Sequence, residues 1–463
     1  MKIIVAGTGY VGLVHAAICS EYGHEVHGYD TNPAKIDAYA TGNPEWIHQF
    51  VNEPGLADII SDNLGKHLFF THKIDEIIEG TDVIFLCLPA PANADGSSNL
   101  ELYDSAVHKI AALLAKRSDL RRVVITDKST VPIGTIRRLQ RILHEHGAKN
   151  VGIATNPEFL AEGTAVSQAR KPSRVVVGCD SKDDFKILRR VYSQFVNHVR
   201  IKYIETTPET AEAIKYVSNT LLLTYISFWN GVGARIGEKI ANVRVDDLRR
   251  GVTADERIST WGSYMSNGAG GSCFGKDIQS LIFQLKKHDV NTRLLESTFE
   301  INEFQKTYLV KKAIQEANFN FEGKVISILG LAFKKQTNDI RDASSLKAIE
   351  TLLGYGVRRI QAYDPLAIEE AKKYYEPEKS PDYQKIVYSK SVREALIDSD
   401  ALFISTDWEE FRGLSSIIES TVSPPYLIID GRRMIPDYED LVAHGYTYLA
   451  VGSPTLKPKQ KRR

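Results

Sequence analysis

Short apolar runs separated by longer amphipathic stretches mark the first two hundred or so positions: KIIVAG, HEVHGYD, DVIFLCLP, RRVVITDKS, VGIATNPEF and SRVVVG. Runs of this length bounded by polar turns predict strands. Their alternation with helical stretches predicts βαβ units and a mostly parallel sheet with helices on both faces. From Thr210 to about Gln315 such runs stop, and TAEAIKYVSNTLLLTYISFWNGVGARIGEKI carries apolar residues at helical spacing, which predicts a long helix inside a helical segment. The alternation returns from Gly323 with KVISILGLAF, RRIQAYDP, DALFISTD and YLIIDGR. The expected order is therefore α/β, helical, α/β, with boundaries at 1–204, 205–315 and 316–455. Residues 456–463 are expected to form a solvated basic tail.

A chain of 463 residues suits two or three domains of this kind. The 58 Lys and Arg balance 58 Asp and Glu, so no global field favours nucleic acid or an acidic membrane surface as a partner. Nothing approaches an 18-residue apolar stretch, and MKIIVAGTGY leads straight into a strand without the features of a signal peptide. Four cysteines, Cys19, Cys87, Cys179 and Cys273, form no CxxC pair and no cluster at metal-ligand spacing. No disulfide framework and no metal are expected, and a reducing cytoplasm is the expected compartment.

Chemistry enters with Gly7-Thr8-Gly9-Tyr10-Val11-Gly12, a GxGxxG that follows a strand and opens a helix. The first glycine permits the tight turn, the second lets backbone approach a pyrophosphate, and the third allows close helix packing. Asp30 follows Gly12 by 18 residues at a strand end, where a carboxylate bonds ribose hydroxyls and repels a 2′-phosphate, so NAD is expected over NADP. Lys128-Ser129-Thr130-Val131-Pro132 lies just past another strand, where loops line a ligand crevice. Glu158 and Glu162 stand four apart in NPEFLAE. They share one face if the stretch is helical, whereas an extended stretch leaves polar backbone to grip a ligand and Glu158 to handle protons. Lys215 and Asn219 are likewise i and i+4, two donors for an oxyanion on one helix face or else an ordinary solvated pair. In NGAGGSCFGKD, three glycines precede Cys273, and Asp277 follows it by one helical turn. The other three cysteines lie in apolar runs and read as inert packing.

Six ordered motifs, GTGYVG, KSTVPIGT, NPEFLAEG, the KxxxN of the helix, GGSCFGKD and GLAFKKQTNDIRDASS, resemble those of the UDP-glucose/GDP-mannose dehydrogenase family over nearly the whole chain. The resemblance implies two Rossmann-like doubly wound domains joined by a long central helix in a segment that also builds a dimer or dimer-based oligomer. It puts NAD on the first domain and a nucleotide sugar between that domain and a C-terminal UDP-sugar-binding one. By motif position it implies Cys273 as nucleophile, Lys215 and Asn219 as oxyanion donors, Glu158 as the base for thioester hydrolysis, and Thr130 and Asp277 as holders of a water. On the cofactor side it implies Gly7, Gly9, Tyr10, Val11, Gly12, Asp30, Lys35, Thr130, Glu162, Lys276 and Arg341. On the substrate side it implies Glu158, Phe159, Leu160, Lys215, Asn219, Gly270, Lys334 and Arg432, with Arg257 reaching a neighbouring subunit's sugar.

The activity implied is a four-electron oxidation of a sugar C6 alcohol to the carboxylate, UDP-glucose to UDP-glucuronate, through a thiohemiacetal and a thioester. GDP-mannose or an N-acetylated UDP-hexosamine is the alternative substrate, and a nucleotide-sugar sensor is the alternative that catalyses nothing. Two departures stand out: Ala269 where the family commonly has an aromatic, and a 88–100 loop, LPAPANADGSSNL, without the usual threonine and aspartate.

Overall fold

The computed structural model describes residues 1–119 and 121–459. It comprises two compact units, the first of Met1–Ser218 with Gln279–Val290 and the second of Asn219–Ile278 with the chain from Asn291 onward. The partition falls inside two helices, Pro208–Phe228 and Phe274–Lys286.

The first unit holds eight strands: β1 (Lys2–Ala6), β2 (Glu25–Tyr29), β3 (Leu68–Thr71), β4 (Val83–Leu86), β5 (Val123–Asp127), β6 (Val151–Thr155), β7 (Arg174–Cys179) and β8 (Lys202–Thr206). Their order is β3-β2-β1-β4-β5-β6-β7-β8, parallel except where β7 meets β6. The second unit holds β9 (Val325–Leu329), β10 (Arg359–Tyr363), β11 (Ile386–Tyr388), β12 (Ala401–Ile404), β13 (Leu427–Asp430) and β14 (Thr447–Ala450), in the order β11-β10-β9-β12-β13-β14. Both therefore contain the doubly wound 3-2-1-4-5-6 arrangement, in which ligands bind beyond the carboxyl ends of the strands where the winding reverses. Strands β4, β5, β9, β12 and β13 are buried at every position because helices cover both faces of the sheet.

The expected strands are all present, and four more appear: β3, β8, β11 and β14. Each is the outermost strand of its sheet. An edge strand packs against one neighbour, so β3, β8 and β11 are only partly buried and lack the continuous burial that marks interior strands of the same length.

The long helix predicted from Thr210 runs as Pro208–Phe228, passes through a π turn at Trp229–Gly233 and continues as Ala234–Lys239. The tail expected from residue 456 begins later, because Leu456 exchanges two backbone hydrogen bonds of 2.9 Å with Tyr448 of β14. Residues 460–463 of that tail lie outside the described residues. No described helix is long and apolar enough to cross a membrane.

Candidate active site

The glycine turn follows β1. Gly7 has φ of +95°, donates its N–H to the Tyr29 carbonyl at 2.8 Å, and leaves no room for a side chain, since a Cβ there would lie 2.3 Å from the Cys87 carbonyl oxygen. A Cβ on Gly12 would lie 1.8 Å from the Gly7 oxygen, whereas one on Gly9 meets nothing within 4 Å. The first and third glycines thus close the turn against the sheet, and the second faces open space at the uncapped start of the helix Tyr10–Glu21. That helix end presents unsatisfied N–H groups and a positive dipole end, which suits a pyrophosphate.

Asp30 Oδ2 accepts from Thr8 N at 3.0 Å, from Thr8 Oγ at 3.1 Å and from Lys35 Nζ at 3.4 Å, while Oδ1 accepts from Asn32 N at 3.0 Å. Burial works to raise its pKa, but the Asn32 and Thr8 N–H groups and Lys35 outweigh it and hold the carboxyl below its ordinary range. The residues present fit a dinucleotide with a free 2′-hydroxyl. Asp30→Ala should raise KM for NAD about tenfold, the loss of one or two charge-assisted hydrogen bonds, and narrow the preference over NADP. Initial rates with both cofactors test this, and an unchanged ratio would remove Asp30 from the ribose.

Glu158 and Glu162 do not share a helix face. Residues 156–161 run without regular structure after β6, and Glu162 sits in a turn. The helical alternative is therefore ruled out. Glu158 is 9% exposed; its Oε1 accepts from Lys215 Nζ at 2.8 Å and its Oε2 from Leu160 N at 2.6 Å, and Lys215 also donates to the Glu158 carbonyl at 2.8 Å. Burial alone would raise this carboxyl, but the Lys215 charge and these hydrogen bonds prevail and keep it below its usual range. Phe159 lies under the Arg174 guanidinium at 3.8 Å. Ser129 donates its hydroxyl to the Leu86 carbonyl at 3.1 Å and its N–H to Asp127 at 3.0 Å, and Thr130 beside it is half-buried. Burial raises Asp127 to about 7. Tyr10 donates a short hydrogen bond to buried Glu53, and Glu53 in turn accepts from Gly163 N at 2.7 Å and Val166 N at 3.2 Å. The cofactor turn is thereby tied to the segment after Glu162, a link carried by a residue that sequence reasoning missed.

In the second unit, Cys273 is exposed and stands immediately before the helix Phe274–Lys286, its carbonyl accepting from Asp277 N at 2.8 Å. The three remaining cysteines are free thiols, two buried and Cys87 half-buried. Fully buried Asp277 accepts from Asn219 Nδ2 at 2.6 Å and from Lys276 Nζ at 2.6 Å. The structure thus joins Asn219 to Asp277 and Lys215 to Glu158, so each helix donor is oriented by its own carboxylate.

The glycine loop before Cys273 is clamped by side chains that sequence reasoning did not find. Asn302 accepts from Ala269 N at 2.8 Å and donates to its carbonyl at 2.9 Å; Gln305 donates to Ser266 O at 2.6 Å; Asn230, exposed to the loop by the π turn, accepts from Ser266 N at 2.8 Å. Gly271 N donates to the Arg341 carbonyl at 2.9 Å; a Cβ on Gly270 would lie 2.5 Å from the Asp342 backbone oxygen, and Gly271 has φ of +90° with the Phe333 ring 2.9 Å from where its Cβ would stand, so both positions favour glycine. The sequence signal was present as three buried polar residues in otherwise helical stretches, but their targets were not.

Among the other expected residues, Arg432 donates to the Ser405 carbonyl at 2.8 Å and the Phe333 carbonyl at 3.1 Å, beside Lys334, whose ammonium lies 5.6 Å from the Phe333 ring. Arg341 and Arg257 are exposed and paired with Asp339 and Asp255 two residues before each.

Residues 1–196 match the NAD binding domain of the UDP-glucose/GDP-mannose dehydrogenase family, residues 209–304 its central domain and residues 327–437 its UDP binding domain. The chain is 34% identical to UDP-glucose 6-dehydrogenase of Rhizobium meliloti (strain 1021) over 98% of its own length and all of the relative's. It is 34% identical to UDP-glucose 6-dehydrogenase TuaD of Bacillus subtilis (strain 168), covering 98% of this chain and 94% of that one. Among solved structures, a UDP-glucose dehydrogenase from Pyrobaculum islandicum superposes with a TM-score of 0.86 at 28% identity, covering 98% of both chains. A UDP-D-ManNAc dehydrogenase from Pyrococcus horikoshii shares the fold, with a TM-score of 0.79 at 24% identity over 98% of this chain and 99% of that one.

Proposed function

The chain belongs to the UDP-glucose/GDP-mannose dehydrogenase family of NAD-dependent nucleotide-sugar dehydrogenases, and we propose that it oxidises the C6 alcohol of UDP-glucose to the carboxylate in two steps, with Cys273 as nucleophile. The observation that carries the reading is Cys273 itself: the one exposed cysteine among four, in a clamped polar loop one turn before a buried aspartate. NAD supplies the hydride acceptor, once for each oxidation.

In this reading the alcohol loses a proton and a hydride to become an aldehyde. The Cys273 sulfur then adds to the aldehyde carbon as its thiol proton leaves, giving a thiohemiacetal. Loss of the thiohemiacetal's hydroxyl proton and of a second hydride gives a thioester, whose carbon–sulfur bond water then cleaves to give the carboxylate and return the thiol. Glu158, held ionised near neutral pH, accepts the proton of that water. Lys215 and Asn219 donate to the oxyanion of each tetrahedral species, and Thr130 and Asp277 hold the water. Lys35, Glu162, Lys276 and Arg341, with Tyr10 and Val11 at the helix start, are assigned to the cofactor, and Phe159, Leu160, Gly270, Lys334 and Arg432 to the nucleotide sugar. Arg257 is assigned to a neighbouring subunit's sugar, which makes the working form a homodimer or a multiple of one. Four cysteines without a CxxC pair support a reducing, cytoplasmic setting.

Holding the intermediate on sulfur lets both oxidations proceed without release of a reactive aldehyde. Purified protein given UDP-glucose should therefore form about two NADH per sugar consumed, with almost no free aldehyde. GDP-mannose and N-acetylated UDP-hexosamines in the same assay should be turned over far less. A ratio of one would indicate a simple alcohol dehydrogenase, and no NADH from any sugar nucleotide would indicate a sensor.

A further inference from the structure

Unit 1 contains a concavity of about 330 Å³ lined in part by the Asn156–Leu160 segment, and none of Gly7, Gly9, Gly12 or Asp30 lines it. Its walls are largely aromatic and apolar, with Tyr22, Tyr192 and Phe195 beside Ile18 and Leu160. Three cations line it. Lys128, only 7% exposed, donates to the Asn156 side-chain oxygen at 2.8 Å and makes a longer contact of 3.5 Å with its carbonyl, and no carboxylate among the described residues pairs with it. Arg174 donates to Ser218 Oγ at 3.2 Å and is stacked on Phe159, again with no carboxylate partner, and Lys171 is exposed at the rim. The one lining carboxylate, Glu158, is hydrogen-bonded by Lys215 and Leu160 N, and its charge acts on Lys128 only from a longer distance.

A buried ammonium with an amide for its partner pays a desolvation cost that an anion would relieve. Burial works to lower the Lys128 pKa and the nearby Glu158 charge works against it, while burial keeps His15 neutral and the Cys19 thiol protonated, so the lining cations are Lys128, Arg174 and Lys171. The volume matches the lower range of small-molecule sites, in which apolar walls hold the body of a ligand and a few polar groups orient it.

We propose that this concavity is a binding site for a small aromatic molecule bearing a carboxylate or phosphate, its ring against the wall formed by Tyr22 and Phe195, which pack edge to face on each other, and its anionic group toward Lys128. Neither the cofactor turn nor Cys273 lines it, whereas Glu158, Phe159 and Leu160, assigned above to the reaction, form part of its wall, and its occupancy is measured without turnover. Arg174 and Lys171 at the opening add attraction for the incoming anion.

Titration calorimetry on the whole protein in saturating NAD tests it with phenyl phosphate, benzoate, inorganic phosphate and benzyl alcohol. At least one aromatic anion should bind once per chain, with inorganic phosphate and benzyl alcohol at least ~10-fold weaker. Binding of phenyl phosphate alone identifies a phosphate site, and binding of benzoate alone a carboxylate site. Ala169→Phe, which fills the concavity, should weaken binding more than ~10-fold, and Lys171→Glu, a rim change that leaves the core intact, about threefold or more. The KM values for NAD and sugar nucleotide should stay as in wild type. No saturable heat with either aromatic anion, binding that NAD abolishes, or affinity unchanged in both variants would overturn the proposal.

Discussion

Cys273→Ser is expected to lose more than three orders of magnitude in steady-state NADH formation from UDP-glucose while retaining affinity for both NAD and sugar nucleotide. Serine preserves the shape of the exposed position before the helix Phe274–Lys286 but keeps its hydroxyl protonated near neutral pH, so the covalent step is disabled. A loss of this size corresponds to more than about 4 kcal/mol of transition-state stabilisation at 1.4 kcal/mol per tenfold. The first hydride transfer does not involve sulfur, so the variant should still reduce a supplied UDP-sugar 6-aldehyde with NADH. The two rates measured side by side separate three outcomes. Loss of oxidation with retained reduction is the expected one, near-normal oxidation removes the thioester, and loss of binding as well makes Cys273 structural.

Lys215→Met should lower both activity and stability, by different routes. Lys215 is 4% exposed and Glu158 9%, and breaking such a pair leaves the carboxylate buried with the Leu160 N–H and the neighbouring Lys128, a change that costs about 3–5 kcal/mol. The sign with pH follows from the direction of the shift. Glu158 is held below its unfolded pKa of roughly 4.3, so its pair with Lys215 contributes fully above that value and the contribution is lost as pH falls through the lower folded pKa. In the variant, burial favours the protonated carboxyl, so its deficit should be largest near neutral pH and shrink on acidification. Urea unfolding between about pH 4 and 8 measures this, and a deficit independent of pH would mean that the loss is packing alone. Under the proposed reaction, losing the oxyanion donor also costs about 10² to 10³ in kcat. Adding Glu158→Gln to Lys215→Met should restore much of the stability and none of the turnover, which distinguishes the chemical role from the structural one.

The two units show how far a pattern of residues carries and where it stops. In each, the first strand ends in a glycine of positive φ whose N–H bonds the end of the next strand, Gly7 to Tyr29 and Gly330 to Tyr363, both at 2.8 Å. In each, an aspartate follows that strand, Asp30 or Asp364. Yet Asp364 is 1% exposed and engaged by Leu331 N, Ala332 N, the Trp408 indole and the N–H groups of Leu366 and Ala367, which leaves it little capacity for a ribose. Asp30 is less buried and keeps a side toward solvent. The same local geometry therefore leaves Asp30 available to a ligand and turns Asp364 into internal support, to which Trp408, 44 residues beyond Asp364, contributes one of five donors.

Local order was legible along the chain because its causes are local: apolar runs bounded by turn residues, helical spacing through TAEAIKYVSNT, glycines in a turn, and Asp277 one turn after Cys273. The interior strands of both sheets and the long helix follow from these. What depended on folding is long-range. Glu158 meets Lys215 across 57 residues and Asn219 meets Asp277 across 58, pairings with no periodicity to announce them. The clamp of Asn230, Asn302 and Gln305 on the cysteine loop, the Glu53 link to Gly163 and the edge strands likewise arise from which surfaces meet, since a buried polar group takes whichever partner the packing brings within hydrogen-bonding distance.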